Sequence, residues 1–297
     1  MKKVFEGIIT PIVTPIKRDE DESLNVEAMK QLVDHLIEKG VSGIFPLGSN
    51  GEFHVLDNEE KMIFTKAVID HVNQRVPVYV GTGACSTKET VQLSKQAEAL
   101  GADALSVITP YFLKPTEEEL IQHYTKVAES VKIPIILYNI PKATGVNISA
   151  SVLKALTKIE NIRGIKDSSG DLDNLKRYIE VTKGTNVNVL VGSDSKILAG
   201  YKMGATGAIA GTSNLITATL VGLDQAFHAG KIDEAQKLQQ DIEELRKVLP
   251  LGTVPSILKR AIELAGIAKV GPARLPVEEV SVQAEEKIKN MLSHYQL

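Results

Sequence analysis

Lys166 ends the run Ile162-Arg163-Gly164-Ile165 and is followed at once by the turn residues Asp167-Ser168-Ser169-Gly170. Tyr138 closes a second run, Ile135-Ile136-Leu137, just before Asn139-Ile140-Pro141. Largely unbroken β-branched and aliphatic residues of this length read as strands buried on both faces, as in a parallel sheet. If both strands end at the same edge of one sheet, an amine and a phenol converge. An amine rooted in apolar surroundings loses hydration, and as the free base it attacks a carbonyl carbon to form a Schiff base. Each residue also has a plainer reading. A lysine at a strand end is commonly a solvated charge, and a buried tyrosine commonly satisfies its hydroxyl on a backbone carbonyl.

A third string, Gly48-Ser49-Asn50-Gly51-Glu52, offers hydroxyl and amide donors between glycines, with backbone N–H groups able to point at an anion. Its plainer reading is a βα turn whose Ser or Asn caps the next helix.

The elements that must carry these residues alternate. Short apolar runs at 7–13, 43–47, 77–81, 104–108, 134–138, 162–166, 187–191 and 207–210 are separated by longer amphipathic stretches, among them 25–39, 58–73, 87–100, 117–130 and 149–156. Eight βα units predict an α/β fold of the (β/α)8 TIM-barrel class, in which strand C-terminal ends face the catalytic mouth. Lys166, Tyr138, the Gly48–Glu52 turn and Gly192-Ser193-Asp194 all stand at such ends. Further helical stretches at 215–228, 232–248, 255–264 and 277–294 exceed the one helix that closes a barrel. The expected division is a barrel over 1–216 and a barrel-closing and C-terminal helical extension over 217–297.

Bulk properties exclude other classes. With 34 basic against 37 acidic residues, the formal charge of −3 supplies no basic field for nucleic acid or an anionic membrane. The single cysteine, Cys85, rules out an intrachain disulfide framework and suits a reducing cytoplasm; its expected role is a small packed residue near the mouth. The N-terminus has Lys2 and Lys3 but no continuous apolar region behind them, and no run reaches membrane-spanning length, so a cytoplasmic location is expected. His35, His54, His71, His123, His228 and His294 are scattered without ligand spacing and read as solvated or structural.

Taken together, Gly48-Ser49-Asn50-Gly51-Glu52, Tyr138-Asn139-Ile140-Pro141 and Gly164-Ile165-Lys166-Asp167, in this order and spacing, resemble the dihydrodipicolinate synthase and N-acetylneuraminate lyase family of pyruvate-dependent class I aldolases. The resemblance covers nearly the whole chain. It implies a homotetrameric barrel enzyme that needs no metal or organic cofactor, because the substrate itself is held as an imine. It assigns Lys166 to the imine with pyruvate or another 2-oxo acid and Tyr138 to proton transfer. Ser49 and Asn50, on the turn opened by Gly48, are assigned to the substrate carboxylate, with Ser49 also in the proton relay. Ile209 matches a position whose backbone carbonyl faces substrate, and Tyr111 one at a subunit contact.

Departures from the family pattern bear on the second substrate. Members that make dihydrodipicolinate carry an arginine two residues after the proline of the Tyr-Asn-x-Pro string, where this chain has Ala143, and a second tyrosine where it has Phe112. A phenyl ring relays no proton. Sialic acid lyases follow the lysine with Phe-Thr, against Asp167-Ser168 here, and place a glutamate where Ser195 stands. The motifs are most similar to those of 2-keto-3-deoxy sugar acid aldolases, and the expected reaction is reversible cleavage of such an acid to pyruvate and an aldehyde. Thr109, Thr144, Ser168, Asp194 and Thr212 are then candidate hydroxyl contacts. The alternatives are 4-hydroxy-tetrahydrodipicolinate synthase, N-acetylneuraminate lyase, 4-hydroxy-2-oxoglutarate aldolase and a keto-deoxy sugar acid dehydratase. A 2-oxo acid binding paralogue without activity is the non-enzymatic one.

Overall fold

The computed structural model describes residues 5–297; Lys2 and Lys3 lie outside the described residues. Eight strands form one sheet in the order β2-β1-β8-β7-β6-β5-β4-β3. They are β1 (Gly7–Pro11), β2 (Gly43–Phe45), β3 (Tyr79–Gly81), β4 (Ala104–Ile108), β5 (Ile135–Asn139), β6 (Ile162–Asp167), β7 (Asn188–Val191) and β8 (Gly207–Ile209). Apart from β2 and β3, which stand at the two ends of this order, strands consecutive in sequence are neighbours in the sheet and pair in parallel, with helices between them, which is the (β/α)8 barrel class expected from the alternation.

Helix ends follow local chemistry. Asp57 and Thr116 open α2 (Asn58–Val72) and α4 (Glu117–Glu129) with reciprocal capping boxes to Glu60 and Glu119. Ser86 and Ser149 cap α3 (Thr87–Ala99) and α6 (Ala150–Leu156), and Asn25 caps α1 (Val26–Glu38). The short α5 (Pro141–Thr144) begins on a proline and ends on left-handed Gly145. Between the later strands lie α7 (Leu172–Thr182) and α8 (Ile197–Met203). The tail is α9 (Thr217–His228), α10 (Ile232–Val248), α11 (Val254–Leu264) and α12 (Val282–Tyr295). The last helix starts later than the expected residue 277, because Pro272 and Pro276 precede it and Ser281 provides the cap. Among the described residues no helix is long and apolar enough to cross a membrane.

The chain forms two compact units, each discontinuous in sequence. The first holds residues 5–7 with Pro77–Ile209, and the second Ile8–Val76 with Ala210–Leu297. The expected boundary at 217 falls inside the second unit, at the start of α9. In the first unit, buried tyrosines anchor helices to loops and strands: Tyr124 of α4 donates to the Val107 carbonyl (3.2 Å) and Tyr178 of α7 to that of Ile148. Burial pushes both hydroxyls well above the usual tyrosine range, so they stay donors.

In the second unit Gly271 has φ +74°, and a Cβ there would stand 1.9 Å from the Ile16 carbonyl oxygen, whereas Gly230, at φ +75°, has nothing within 4 Å of a Cβ. Gly271→Ala is therefore expected to destabilise by about 3 kcal/mol or more, through strain and collision together. Gly230→Ala should lose only about 1 kcal/mol for the left-handed backbone. Equilibrium urea denaturation of the two variants checks the contrast.

Candidate active site

The register of β5 on β6 pairs Tyr138 with Lys166 and Asn139 with Asp167. Side-by-side partners in a parallel pair share a face, and the next pair along occupies the opposite one. Accordingly Lys166 Nζ lies 3.9 Å from the centre of the Tyr138 ring. Both residues are 4% exposed, so the amine and the phenol meet where water is scarce. The two residues that motif spacing singled out are thus brought together by one ladder step.

The next step of the ladder, on the opposite face, is tied by polar groups. Asn139 Nδ2 donates to Asp167 Oδ1 (3.0 Å) and to Asn147 Oδ1 (2.9 Å), while Asn139 Oδ1 accepts from the Ile148 amide (2.9 Å). Asp167 also accepts from the Ser169 amide and hydroxyl (3.0 and 2.9 Å) and from Asn174 Nδ2 (3.3 Å). Ladder bonds continue beyond, Ser168 N–H to the Asn139 carbonyl and Gly192 N–H to the Asp167 carbonyl, both 2.8 Å. These bonds hold the ends of β5, β6 and β7 in one register, and with them the facing of Lys166 and Tyr138.

Gly192 completes the enclosure. A Cβ at this position would lie 2.1 Å from Ser168 Oγ and 3.0 Å from Lys166 Cε, so only glycine leaves the lysine stem its present path.

In the second unit, Gly48-Ser49-Asn50-Gly51 forms a tight turn between two non-glycine residues in the left-handed region, Leu47 (φ 62°) and Glu52 (φ 57°). Such backbone is costly and persists where its surroundings over-determine it. Thr14 Oγ1 donates to the Gly51 carbonyl (2.6 Å), and a Cβ on Gly51 would press on the Ile12 carbonyl at 3.0 Å. Asn50 packs against bare Gly211, where a Cβ would stand 2.4 Å from its Nδ2. Ser49 and Asn50 are half-buried.

The other candidates divide. Ile209 is buried at the end of β8, and Asp194 is buried at the start of the turn Asp194–Lys196. Thr212 is buried in the turn Gly211–Asn214. Thr144 is buried with its hydroxyl bonded to the backbone at Ile140 and Val146 (3.1–3.2 Å), so it is engaged in shaping the turn after β5. Ser168 Oγ likewise donates to the Gly192 carbonyl (3.1 Å), and Thr109 is fully buried. Ala143 is exposed on α5, next to exposed Lys142. Phe112, 93% exposed with φ 79°, turns its ring outward beside half-buried Tyr111.

Cys85 departs from the expected packed residue: it is exposed, because the loop after β3 carries it past the strand, and it is hydrogen-bonded to Tyr111. Burial, with Cys85 and Glu89 nearby, pushes the Tyr111 hydroxyl up to about 12. Among the described residues no group of His, Cys, Asp and Glu is arranged to hold a metal ion. His71 pairs with Asp34 (2.8 Å) and His294 with Asp241 (2.7 Å), and His123 is buried against Thr87 (2.9 Å).

What motif reading missed is the support: Asn139 and Asp167 as a cross-strand tie, and the partners of Glu52 far along the chain. The signal for the first was present, since one amide and one carboxylate each directly follow the tyrosine and the lysine.

Comparison with known proteins agrees with the geometry. The model of the dihydrodipicolinate synthetase family matches residues 4–295. The 4-hydroxy-tetrahydrodipicolinate synthase of Methanoculleus marisnigri is 37% identical over 292 residues, covering 98% of this chain and 100% of that protein. Among solved structures, the chloride-inhibited dihydrodipicolinate synthase from Acinetobacter baumannii complexed with pyruvate superposes with a TM-score of 0.93 at 35% identity, with 99% of each chain covered. YagE of E. coli, a prophage protein of the same family in complex with pyruvate, gives a TM-score of 0.94 at 33% identity, covering 99% of this chain and all of that one.

Because the Asp167 carboxylate accepts from donors on three residues, Asn139, Ser169 and Asn174, Asp167→Ala leaves buried donors unpaired. It is expected to destabilise by about 2–4 kcal/mol, read as a lowered midpoint in urea denaturation.

Proposed function

The chain belongs to the dihydrodipicolinate synthetase family of pyruvate-dependent class I aldolases, and from that premise we propose that Lys166 is the amine that forms the family's Schiff base. Enzymes of this family are carbon–carbon lyases or synthases that work through a lysine imine. The observation that carries the assignment is the single ladder step that sets Lys166 Nζ 3.9 Å from the Tyr138 ring, both residues buried.

In the proposed reaction Lys166 Nζ attacks the keto carbon of pyruvate, and the carbonyl oxygen leaves as water once protonated. The protonated imine then draws electrons from the adjacent methyl carbon, which loses a proton and becomes an enamine. That carbon bonds to the carbonyl carbon of an aldehyde, whose oxygen takes up a proton, and water releases the product from the lysine. Cleavage is the same sequence reversed. Tyr138 moves protons at the carbinolamine and at the aldehyde oxygen. Ser49 and Asn50, on the strained turn opened by Gly48, hold the pyruvate carboxylate, with Ser49 also in the relay, and the Ile209 carbonyl faces the substrate. The imine supplies the electron sink, so the sequence is written without a metal or organic cofactor. A cytoplasmic homotetramer with Tyr111 at a subunit contact is the assembly the family resemblance supports.

For the aldehyde we favour a hydroxylated one, which makes the cleaved substrate a 2-keto-3-deoxy sugar acid. Ala143 carries this choice: the turn after β5 presents a methyl group where a carboxylate-bearing aldehyde calls for an arginine, and Phe112 supplies no relay hydroxyl. Asp194, buried at the start of the turn after β7, is a candidate to receive a sugar hydroxyl. The second reading is condensation of pyruvate with aspartate semialdehyde, the synthase reaction. The name of the Methanoculleus relative favours it, and the comparisons by themselves support it better than the sugar-acid reading. Lys142, exposed beside Ala143, is the charge that would serve it.

Aldol formation from pyruvate, assayed with a panel of hydroxyaldehydes and with aspartate semialdehyde, decides between them. The expected kcat/KM is about tenfold or more higher for the best hydroxyaldehyde, the value of one missing charge-assisted bond. Ala143→Arg should then raise turnover of aspartate semialdehyde. The opposite order in the unaltered enzyme would establish the synthase reading. Independently of the aldehyde, Gly192→Ala is expected to lower kcat by about tenfold or more while the protein stays folded, because its methyl group displaces the Lys166 stem. Steady-state kinetics with circular dichroism checks this.

A further inference from the structure

Glu52 lies directly after the Ser49-Asn50-Gly51 turn, in left-handed backbone, and its carboxylate is buried (3% exposed). A charged side chain is a poor occupant of such a place unless its charge is matched. One oxygen, Oε1, lies 2.6 Å from Lys259 Nζ, and the other, Oε2, accepts from the Arg274 amide at 2.7 Å. Lys259 is itself 1% exposed and donates to the Pro272 carbonyl at 2.6 Å. It projects from α11, a helix of the C-terminal tail that packs against the Ser49–Gly51 turn. Burial holds the Lys259 ammonium below the usual lysine range, and the Glu52 charge opposes that fall.

Around this pair the tail is fastened again. The Arg274 guanidinium takes both oxygens of Glu60 at 2.7 Å each and donates to the Glu22 carbonyl at 2.7 Å. Thr14 Oγ1 also donates to the Gly51 carbonyl at 2.6 Å, and Gly211 leaves no room for a Cβ beside Asn50. The cost of left-handed Leu47 and Glu52 must be met by contacts that over-determine the turn, and the buried charge pair is the one whose breaking leaves an unmatched charge beside it.

We propose that Lys259 is a positioning residue, acting through Glu52 to hold Ser49 and Asn50 in the conformation that receives the pyruvate carboxylate. This rests on the reading of Ser49 and Asn50 as the carboxylate site. The C-terminal helices thereby take part in substrate binding without touching the substrate. Loss of the pair loosens a binding turn and leaves the imine chemistry of Lys166 in place, so the effect falls chiefly on KM for pyruvate, with a smaller fall in kcat through Ser49 in the relay.

Three variants test this: Lys259→Met, the charge-free double variant Lys259→Met with Glu52→Gln, and Ser49→Ala as a reference. Lys259→Met is expected to raise KM for pyruvate about tenfold, the loss of one charge-assisted anchor, with a smaller change in kcat. The double variant removes the uncompensated buried charge, so its thermal midpoint recovers while KM stays raised. A double variant that recovers both the midpoint and the parental KM would overturn the proposal, since KM would then merely follow stability. So would an unchanged KM in folded Lys259→Met where Ser49→Ala raises it. If Lys259→Met does not fold, the double variant alone decides: a raised KM supports positioning and a parental KM overturns it. An unchanged KM in Ser49→Ala would instead overturn the carboxylate reading on which the proposal stands.

Discussion

The pairing of Asn139 with Asp167 across β5 and β6 is the constraint on which the proposed chemistry depends. A parallel ladder alternates faces at every step, so tying this pair on one face dictates that the preceding pair, Tyr138 and Lys166, meets on the other. A slip of one residue would send the amine to the wrong side of the sheet. The irregularity at Ile135 and Ile136 lies at the far end of the same strand, and the step that carries the reactive groups is regular. Register is thereby secured by polar bonds beside the Lys166–Tyr138 pair.

A second constraint acts on the Gly48–Glu52 turn. Leu47 and Glu52 sit in backbone that side chains seldom adopt, and Gly51 and Gly211 are bare where any Cβ would crowd the Ile12 carbonyl or Asn50. The energy stored in this turn is offset by buried bonds from Thr14 and, through Glu52, from Lys259 and the Arg274 amide. The two units share one device: a buried carboxylate, Asp167 in the first and Glu52 in the second, gathers donors that fix the backbone around it.

Much of this was legible in the residues. The eight apolar runs announced their strands because burial on both faces leaves no alternation to blur, and helices such as Ile232–Val248 declared themselves by period and charge. Lys166 and Tyr138 stood out because each broke an apolar run with one polar group. The helices expected from residues 58 and 87 start at Asn58 and Thr87, each directly after a capping side chain, Asp57 or Ser86. The exposure of Cys85 and the engagement of Thr144 with its own turn were not legible, since both depend on the path of a loop rather than on residue type. Nor was the union of Glu52 with Lys259, because a buried ion pair leaves no periodicity in the sequence between its members. Substrate choice is the hardest to read: it rests on what Ala143 and Phe112 lack, and the names of relatives point the other way.

Reductive trapping measures the imine directly. The protein is incubated with pyruvate and sodium borohydride, digested, and its peptides weighed. A pyruvate-dependent mass increase is predicted on the peptide that contains Lys166, and it should vanish in Lys166→Ala. Absence of an adduct, or one that persists on another lysine in that variant, would contradict the assignment of the amine.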